Sequence, residues 1–239
     1  MECSGKPDLH GVLVIDKPRG PTSMSMVNLV RRKCKKVKTG HAGTLDPLAT
    51  GVLVLGVGSM TKKLSELMVT DKQYTTVINL EAMTAGHDAE TPPKFVDIKK
   101  IPTQQEVASA VATFEGEINQ IPPMHSAVKI DGHRAYALAR KGQKIEMPPR
   151  KVEVHEIKVT AYEWPIVAIS ILCSKGFYVR SLARDLGIKL NTGGYCTDIR
   201  RTAVGSFTLE HAHQLESLPE WLSADDLISP HQVDLMLQG

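Results

Sequence analysis

One carboxylate stands out by its surroundings. The segment Gly40-His41-Ala42-Gly43-Thr44-Leu45-Asp46-Pro47-Leu48-Ala49-Thr50-Gly51 holds a single acid among glycines, small residues and hydroxyls, directly before an apolar run. Pro47 biases Asp46 away from helical backbone angles. Gly43 and Gly51 permit tight turns or the close approach of another backbone. The pattern fits a rigid loop that presents one acid. It also fits an ordinary Asp-Pro turn, and the residues alone leave both readings open.

Short elements must position this loop. Residues 11–15 form an apolar strand. Thr22 or Ser23 can cap the helix that follows, with Met26, Val27 and Val30 on one face and basic residues at its end. Residues 52–57 read as a strand, 61–68 as a helix and 73–84 as one longer strand. Thr103 and Glu106 make a capping-box pattern before Val107, Val111 and Phe114. Residues 152–160 and 166–173 read as neighbouring strands, and 181–190 as a helix. The order is irregular rather than a steady βαβ alternation, so the expected fold class is α+β with a mixed, largely antiparallel sheet flanked by helices. Residues 86–102 and 120–150, rich in Pro, Gly and charge, read as surface excursions able to carry function.

Composition excludes several classes. The chain has 239 residues, 42% hydrophobic and 23% charged, which suits a globular protein with a real core. No apolar run is long enough to span a bilayer, and the polar start lacks a secretory core, so a cytoplasmic location is expected. The four cysteines, Cys3, Cys34, Cys173 and Cys196, are widely spaced and predict buried, reduced thiols. His211-x-His213 could bind a metal, but no nearby ligand set completes a site. Net charge is only +3, yet Arg31, Arg32, Lys33, Lys35, Lys36 and Lys38 cluster. Lys129, Arg134, Arg140, Lys141, Lys144, Arg150 and Lys151 form a looser basic region. Such clusters suit a polyphosphate partner, and they equally suit a solvated helix face whose cations favour the helix C-terminus.

The loop around Asp46 resembles the signature loop of the TruB family of pseudouridine synthases. The resemblance continues in order along the chain. Gly11-Val12-Leu13-Val14-Ile15-Asp16-Lys17-Pro18-Arg19-Gly20-Pro21-Thr22-Ser23 is similar to the family's opening motif, and Lys72-Gln73-Tyr74 to its K-x-Y element. Gln120-Ile121-Pro122-Pro123-Met124-His125-Ser126-Ala127-Val128-Lys129, with Tyr136, Ala139 and Arg140, is similar to its middle motif. Cys173-Ser174-Lys175-Gly176-Phe177-Tyr178-Val179-Arg180 and Asp198-Ile199-Arg200-Arg201 are similar to the last two. The likeness covers roughly residues 11 to 215.

The resemblance implies a tRNA pseudouridine synthase acting on uridine 55 of the T-loop. That isomerisation moves the ribose bond from a uracil nitrogen to a ring carbon and needs no cofactor or metal. Asp46 matches the catalytic aspartate; a carboxylate can stabilise or trap the electron-poor ribose carbon, as glycosidases do on sugars. Arg180 matches the arginine that pairs with that aspartate, and Tyr74 the tyrosine that stacks on the uracil. Without the motifs, Tyr74 and Tyr178 would read as ordinary strand tyrosines. Tyr178 supports the pocket and Ile199 excludes water. His41 matches a histidine that braces the space left by an extruded base. Lys17, Lys129 and Arg140 are the expected RNA contacts, within an RNA-gripping insertion in the case of residues 130–150.

Two departures stand out. Where the family shows L-G-x-x-T-x-T-x-D, this chain reads Leu80-Glu81-Ala82-Met83-Thr84-Ala85-Gly86-His87-Asp88, which puts the local loop geometry in doubt. Ala42 replaces a commoner threonine. Residues 1–239 are expected to form a single catalytic domain, with 210–239 a short tail rather than a PUA-type RNA-binding domain. The expected partner is the T-stem-loop of tRNA, engaged by a monomer without membrane or obligatory protein partner. The rival readings are a non-catalytic RNA-binding or tRNA-folding module of this fold, and a guide-RNA-dependent synthase.

Overall fold

A computed structural model of the chain describes residues 8–124, the backbone of 129–130 and 133–134, and residues 147–238. The chain divides into two compact units, residues 1–73 with 200–239, and residues 74–199.

The first unit is built on β1 (Gly11–Lys17) and β3 (Thr50–Val57), antiparallel neighbours from Gly11↔Val57 to Lys17↔Gly51. Both are nearly continuous apolar runs, and their Val and Leu side chains are buried. The last residues of β12 (Tyr195–Val204) lie parallel to β3 through Arg200↔Thr50 and Arg201↔Gly51. Short β2 (Thr39–His41) pairs with β3, β13 (Phe207–Thr208) with β12 and β14 (Ala212–His213) with β1. Helix α1 (Ser23–Lys33) starts at Thr22, whose hydroxyl accepts from Ser25 N, and buries Met26, Val27 and Val30 as its periodicity predicts. The helix expected over 61–68 is split. A 3₁₀ turn spans Gly58–Lys62, and α2 runs Leu64–Val69. Residues 210–239 are more than a tail. Val12 and Ile228 exchange backbone hydrogen bonds, and α5 (Pro230–Gln238) inserts Val233 into a core with Val14, Val54, Leu67 and Phe207.

The second unit orders its sheet as β12, β4 (Lys72–Asn79), β11 (Ile166–Cys173), β10 (Arg150–Glu163) and β7 (Gly116–Gln120). Strands β10 and β11 pair antiparallel, as do β10 and β7. The fold class is therefore the expected α+β with a mixed, largely antiparallel sheet. The long strand expected over 73–84 is broken. β4 ends where Asn79 Oδ1 accepts from Glu81 N at 2.9 Å, and β5 (Ala82–Met83) pairs instead with β6 (Lys94–Phe95). The side chain of Asn79 thus offers the backbone a turn in place of the ladder. Helix α3 (Gln104–Ala112) carries the capping box expected at Thr103 and Glu106, and packs on β10 and on α4 (Val179–Leu190). Strand β12 has no counterpart among the sequence-based strands. Its alternating buried positions are Ile199, Arg201 and Ala203, one of them charged, and buried Cys196 falls out of that step, so no apolar alternation signals it. Two-residue β8 (Lys129–Ile130) pairs with β9 (His133–Arg134).

Gly51 is a position where the β3–β12 pairing requires glycine. Its φ is +99°, and an added Cβ would lie 2.1 Å from the Arg201 carbonyl oxygen. The β3–β12 pairing leaves no room for a side chain there. Gly51→Ala should therefore destabilise the protein by at least about 2 kcal/mol, combining left-handed strain with the clash. Urea unfolding checks this; a midpoint within error of wild type would mean the strands separate at no cost.

Candidate active site

Asp46 is half-buried and opens a turn that Ala49 closes, its N–H donating to the Asp46 carbonyl at 3.1 Å. Pro47 sits at the second turn position, where its fixed φ is favoured. Asp-Pro makes the turn that the residues allowed, and Asp46 is half-buried at its start.

The loop is gripped from several sides by buried side chains of its own unit. Lys17 is fully buried, and its Nζ donates to the carbonyls of Pro18, Pro47 and Ala49 at 2.8, 3.3 and 2.7 Å. Ser23 Oγ donates to Leu45 O at 2.9 Å and accepts from Leu45 N at 2.8 Å, a two-way clamp on the residue before the acid. Gly20 N donates to Pro47 O at 2.8 Å. Arg201, also buried, donates from Nε to Val52 O and from a terminal nitrogen to Gly43 O at 2.8 and 3.2 Å. Arg200 forms a fork on Asp16 at 3.1 and 2.7 Å, and Gln214 adds a hydrogen bond to the same carboxylate. The opening motif and the Asp198–Arg201 motif are thus scaffolding for the loop.

This corrects the reading of Lys17 as an RNA contact. Its ammonium is spent on loop carbonyls and does not reach solvent. Arg201 and Arg200 stand in a motif that gave them no role, and Ser23, expected as an alternative helix cap to Thr22, clamps the loop instead. The signal was there for Arg201: it falls in register with the buried positions of its strand.

His41 ends β2, half-buried, with Nδ1 enclosed and lacking a hydrogen-bond partner among the described residues. Burial, and then the nearby Arg201 charge, hold its pKa below the ordinary histidine value.

In the second unit, Tyr74 is half-buried on β4 and Ile199 is buried on β12. Tyr178 precedes α4, and its backbone is fixed by a side-chain amide. Gln120 Oε1 accepts from Tyr178 N at 2.7 Å, and Gln120 Nε2 donates to Tyr178 O at 3.0 Å. Ser181 and Arg184 donate to Ile121 O at 2.7 and 3.1 Å. The middle motif therefore anchors the start of α4. Arg180, 5% exposed, donates to Gly86 O at 3.2 Å and to Asp88 Oδ2 at 3.1 Å. Asp88 is a partner that the motif match left without a role. The departure at Gly86 is compatible with this pair. A Cβ there would stand 2.9 Å from Asp88 Oδ1, and Thr84 Oγ1 still donates to Asp88 O at 2.6 Å. His87, at a φ of +58°, has its pKa lowered by burial and then by Arg184 and Arg180.

Arg140 lies outside the described residues, and so does the side chain of Lys129. Cys34, Cys173 and Cys196 are buried, and burial with the Asp226 charge raises the Cys34 thiol to about 11. Among the described residues no helix is long and apolar enough to cross a membrane.

Residues 31–179 match the family described as TruB family pseudouridylate synthase (N terminal domain), and residues 180–238 match the tRNA pseudouridylate synthase B C-terminal domain. A protein of Phocaeicola vulgatus named tRNA pseudouridine synthase B is 42% identical over 222 residues, covering 90% of this chain and 94% of that protein. Its namesake from Rhodococcus jostii is 47% identical over 215 residues, covering 88% and 70%. Among solved structures, a chain of a Cbf5-Nop10-Gar1 complex aligns with a TM-score of 0.68 at 29% identity, over 87% of this chain and 53% of that one. A chain of an H/ACA RNP bound to a substrate RNA containing 2'-deoxyuridine aligns with a TM-score of 0.65 at 26% identity, over 87% and 52%. This chain spans about half the length of those solved chains.

The role of Lys17 is open to direct test. Lys17→Met keeps the length and removes the donors, so the Pro47 and Ala49 carbonyls lose a charged partner. Each charged hydrogen bond is worth about 1.5–3 kcal/mol, so a loss of about 3 kcal/mol in stability is expected. Urea unfolding and an RNA-affinity titration separate the readings. A stable variant with weakened, less salt-dependent RNA binding would restore Lys17 as a phosphate contact.

Stability should also fall from pH 7 to pH 5. His41 and His87 have folded pKa values below the unfolded value of about 6.5. Below that pH the unfolded chain binds more protons than the fold, so acid favours unfolding. Urea midpoints at pH 5, 6 and 7 should decline, and His41→Gln/His87→Gln should flatten the decline. Equal slopes in both proteins would show that these rings are not the cause.

Proposed function

The chain belongs to the TruB family of pseudouridylate synthases, and from there we propose that it converts uridine 55 in the T-loop of tRNA to pseudouridine, with Asp46 as the catalytic carboxylate. What carries the reading is the presentation of Asp46. It is the one acid of its loop, half-buried, in a turn whose carbonyls are pinned by Lys17, whose preceding residue is clamped by Ser23 and whose flanks at Gly43 and Val52 are held by Arg201.

The chemistry asks for such an acid. The bond from ribose to the uracil nitrogen breaks, the base turns, and a ring carbon takes the nitrogen's place. The proton on that carbon leaves and the freed nitrogen gains one, so no atom is gained or lost overall. The ribose carbon passes through an electron-poor state, which a fixed carboxylate stabilises or traps. Tyr74 is assigned to stack on the uracil and to assist proton movement. Arg180 is assigned to steady the reacting aspartate, and the buried Asp88 restricts the guanidinium that would do so. His41 is assigned to brace the stem when the target base is extruded. The protein is proposed to act as a monomer in the cytoplasm and without a protein partner, whereas the similar solved chain is part of a Cbf5-Nop10-Gar1 complex.

Purified protein mixed with unmodified tRNA, without other proteins or cofactors, should yield pseudouridine at the T-loop position on mapping. Asp46→Asn should keep the fold and tRNA affinity and reduce turnover by at least about 10³, the scale of losing an essential catalytic group. Turnover near wild type in the variant would remove Asp46 from the chemistry. Retained tRNA binding without any conversion by the wild type would favour the RNA-binding module instead.

A further inference from the structure

We propose that the exposed cations at and beyond the end of α1, Arg31, Arg32, Lys35, Lys36 and Lys38, form a second RNA-binding surface that grips the phosphodiester backbone of the substrate. That the substrate is tRNA rests on the function proposed above.

The surface differs from the protein's other lysines in being a cluster. Elsewhere, several exposed or half-exposed lysines are matched to carboxylates, Lys63 to Asp234, Lys99 to Asp97, Lys100 to Glu106, Lys151 to Glu117 and Lys158 to Glu156, and the exposed lysines without such a match among the described residues, Lys62, Lys94, Lys175 and Lys189, are scattered along the chain. Among the described residues no carboxylate pairs with Arg31, Arg32, Lys35, Lys36 or Lys38, and all five are exposed. The neighbouring segment is acidic, with Glu216, Glu220, Asp225 and Asp226, but Asp226 turns onto Ser223 N and Oγ. The cations therefore face solvent uncompensated at short range.

Helix chemistry accounts for only part of the cluster. Arg31, Arg32 and Lys33 lie in the last turn, where a cation complements the helix dipole. Lys33 is used structurally, donating to Pro219 O at 2.5 Å. Lys35, Lys36 and Lys38 lie beyond the helix. Lys35 and Lys36 have φ values of +48° and +68°, a region that glycine or asparagine would occupy more cheaply. Two successive lysines there hold two ammonium groups outward at some conformational cost.

Position and chemistry point to RNA. Lys38 leads directly into β2, which ends at His41. At about 3.3 Å per strand residue, Lys38 and His41 are about 10 Å apart along the chain. Nucleic acid in a duplex offers one phosphate per roughly 3.4 Å of axis on each strand, so an RNA seated at the Asp46 loop brings several within reach. Trp221, 54% exposed, lies 5.8 Å from the Lys35 ammonium. An aromatic face beside unpaired cations is the combination used on nucleic-acid strands.

The test neutralises the surface and compares it with an equal charge loss elsewhere. Arg31→Gln/Arg32→Gln/Lys36→Gln/Lys38→Gln is set against Lys99→Gln/Lys100→Gln/Lys158→Gln/Lys189→Gln, with tRNA affinity measured across a salt series. The first variant should bind about ten- to a hundredfold more weakly, with a log–log salt slope reduced by roughly three to four. The control should stay close to wild type. The charge-preserving Arg31→Lys/Arg32→Lys/Lys36→Arg/Lys38→Arg should restore most of the affinity. Equal losses in variant and control, or no loss in the variant, would overturn the proposal. A wild type that binds RNA through this surface yet forms no pseudouridine would leave the surface standing and remove the proposed function.

Discussion

The local structure around Asp46 depends on two buried cations that hold backbone carbonyls. A loop that is neither helix nor ladder cannot satisfy its own polar groups, and each buried orphan costs about 1–3 kcal/mol. Within residues 43–52, Lys17 supplies the missing donors to the middle, at Pro47 and Ala49, and Arg201 to the two ends, at Gly43 and Val52. They stand in one register across three strands, Lys17↔Gly51 and Gly51↔Arg201. The glycine between them has no side chain and a left-handed backbone, which lets the third strand approach. Remove any member of that row and the other two lose their reason to be there.

The second unit uses the same device with different groups. Gln120 meets Tyr178 with both ends of its amide, imitating a rung of sheet where the chain turns into α4. Ser181 and Arg184 satisfy the Ile121 carbonyl. Arg180 is buried because Asp88 and the Gly86 carbonyl accept from it; one without the others would be a desolvated charge. Side chains that grip backbone restrict Tyr178 and Arg180 more tightly than apolar packing alone could, since hydrogen bonds carry direction.

Much of this was legible because function confined it to short contiguous motifs. The loop, Lys17, Ser23, Arg200 and Arg201 that brace it, and Gln120 and Ile121 at the start of α4 fall within such motifs, whereas Gln214, Ser181 and Arg184 lie outside them. The fold class was legible from irregular strand and helix order, and the helices at Ser23 and Gln104 from their caps. What stayed hidden has physical causes. Strand β12 buries an arginine at an inward position, so its alternation is masked. The run over 73–84 looks continuous because no glycine or proline marks the turn that Asn79 makes with its side chain. Lys17 looked like a phosphate contact because a lysine beside Pro and Arg is usually exposed; only the fold reveals three carbonyls converging on it.

That last case shows why charge counts mislead here. A net charge of +3 treats Lys17, Arg201 and Arg180 as equal to Arg31 or Lys36. The first three are buried, and their charge is consumed by carbonyls and a carboxylate. They act mainly by gripping the groups they bond, and beyond those Arg201 and Arg180 help to lower the pKa of His41 and of His87. The cations after α1 are exposed and lack close acids, so their potential extends about a Debye length, near 10 Å at moderate salt. Lys38, at about 10 Å of strand from His41, lies just within that range of the loop. One kind of cation shapes the loop that presents Asp46, and the other is placed to hold a polyanion over it.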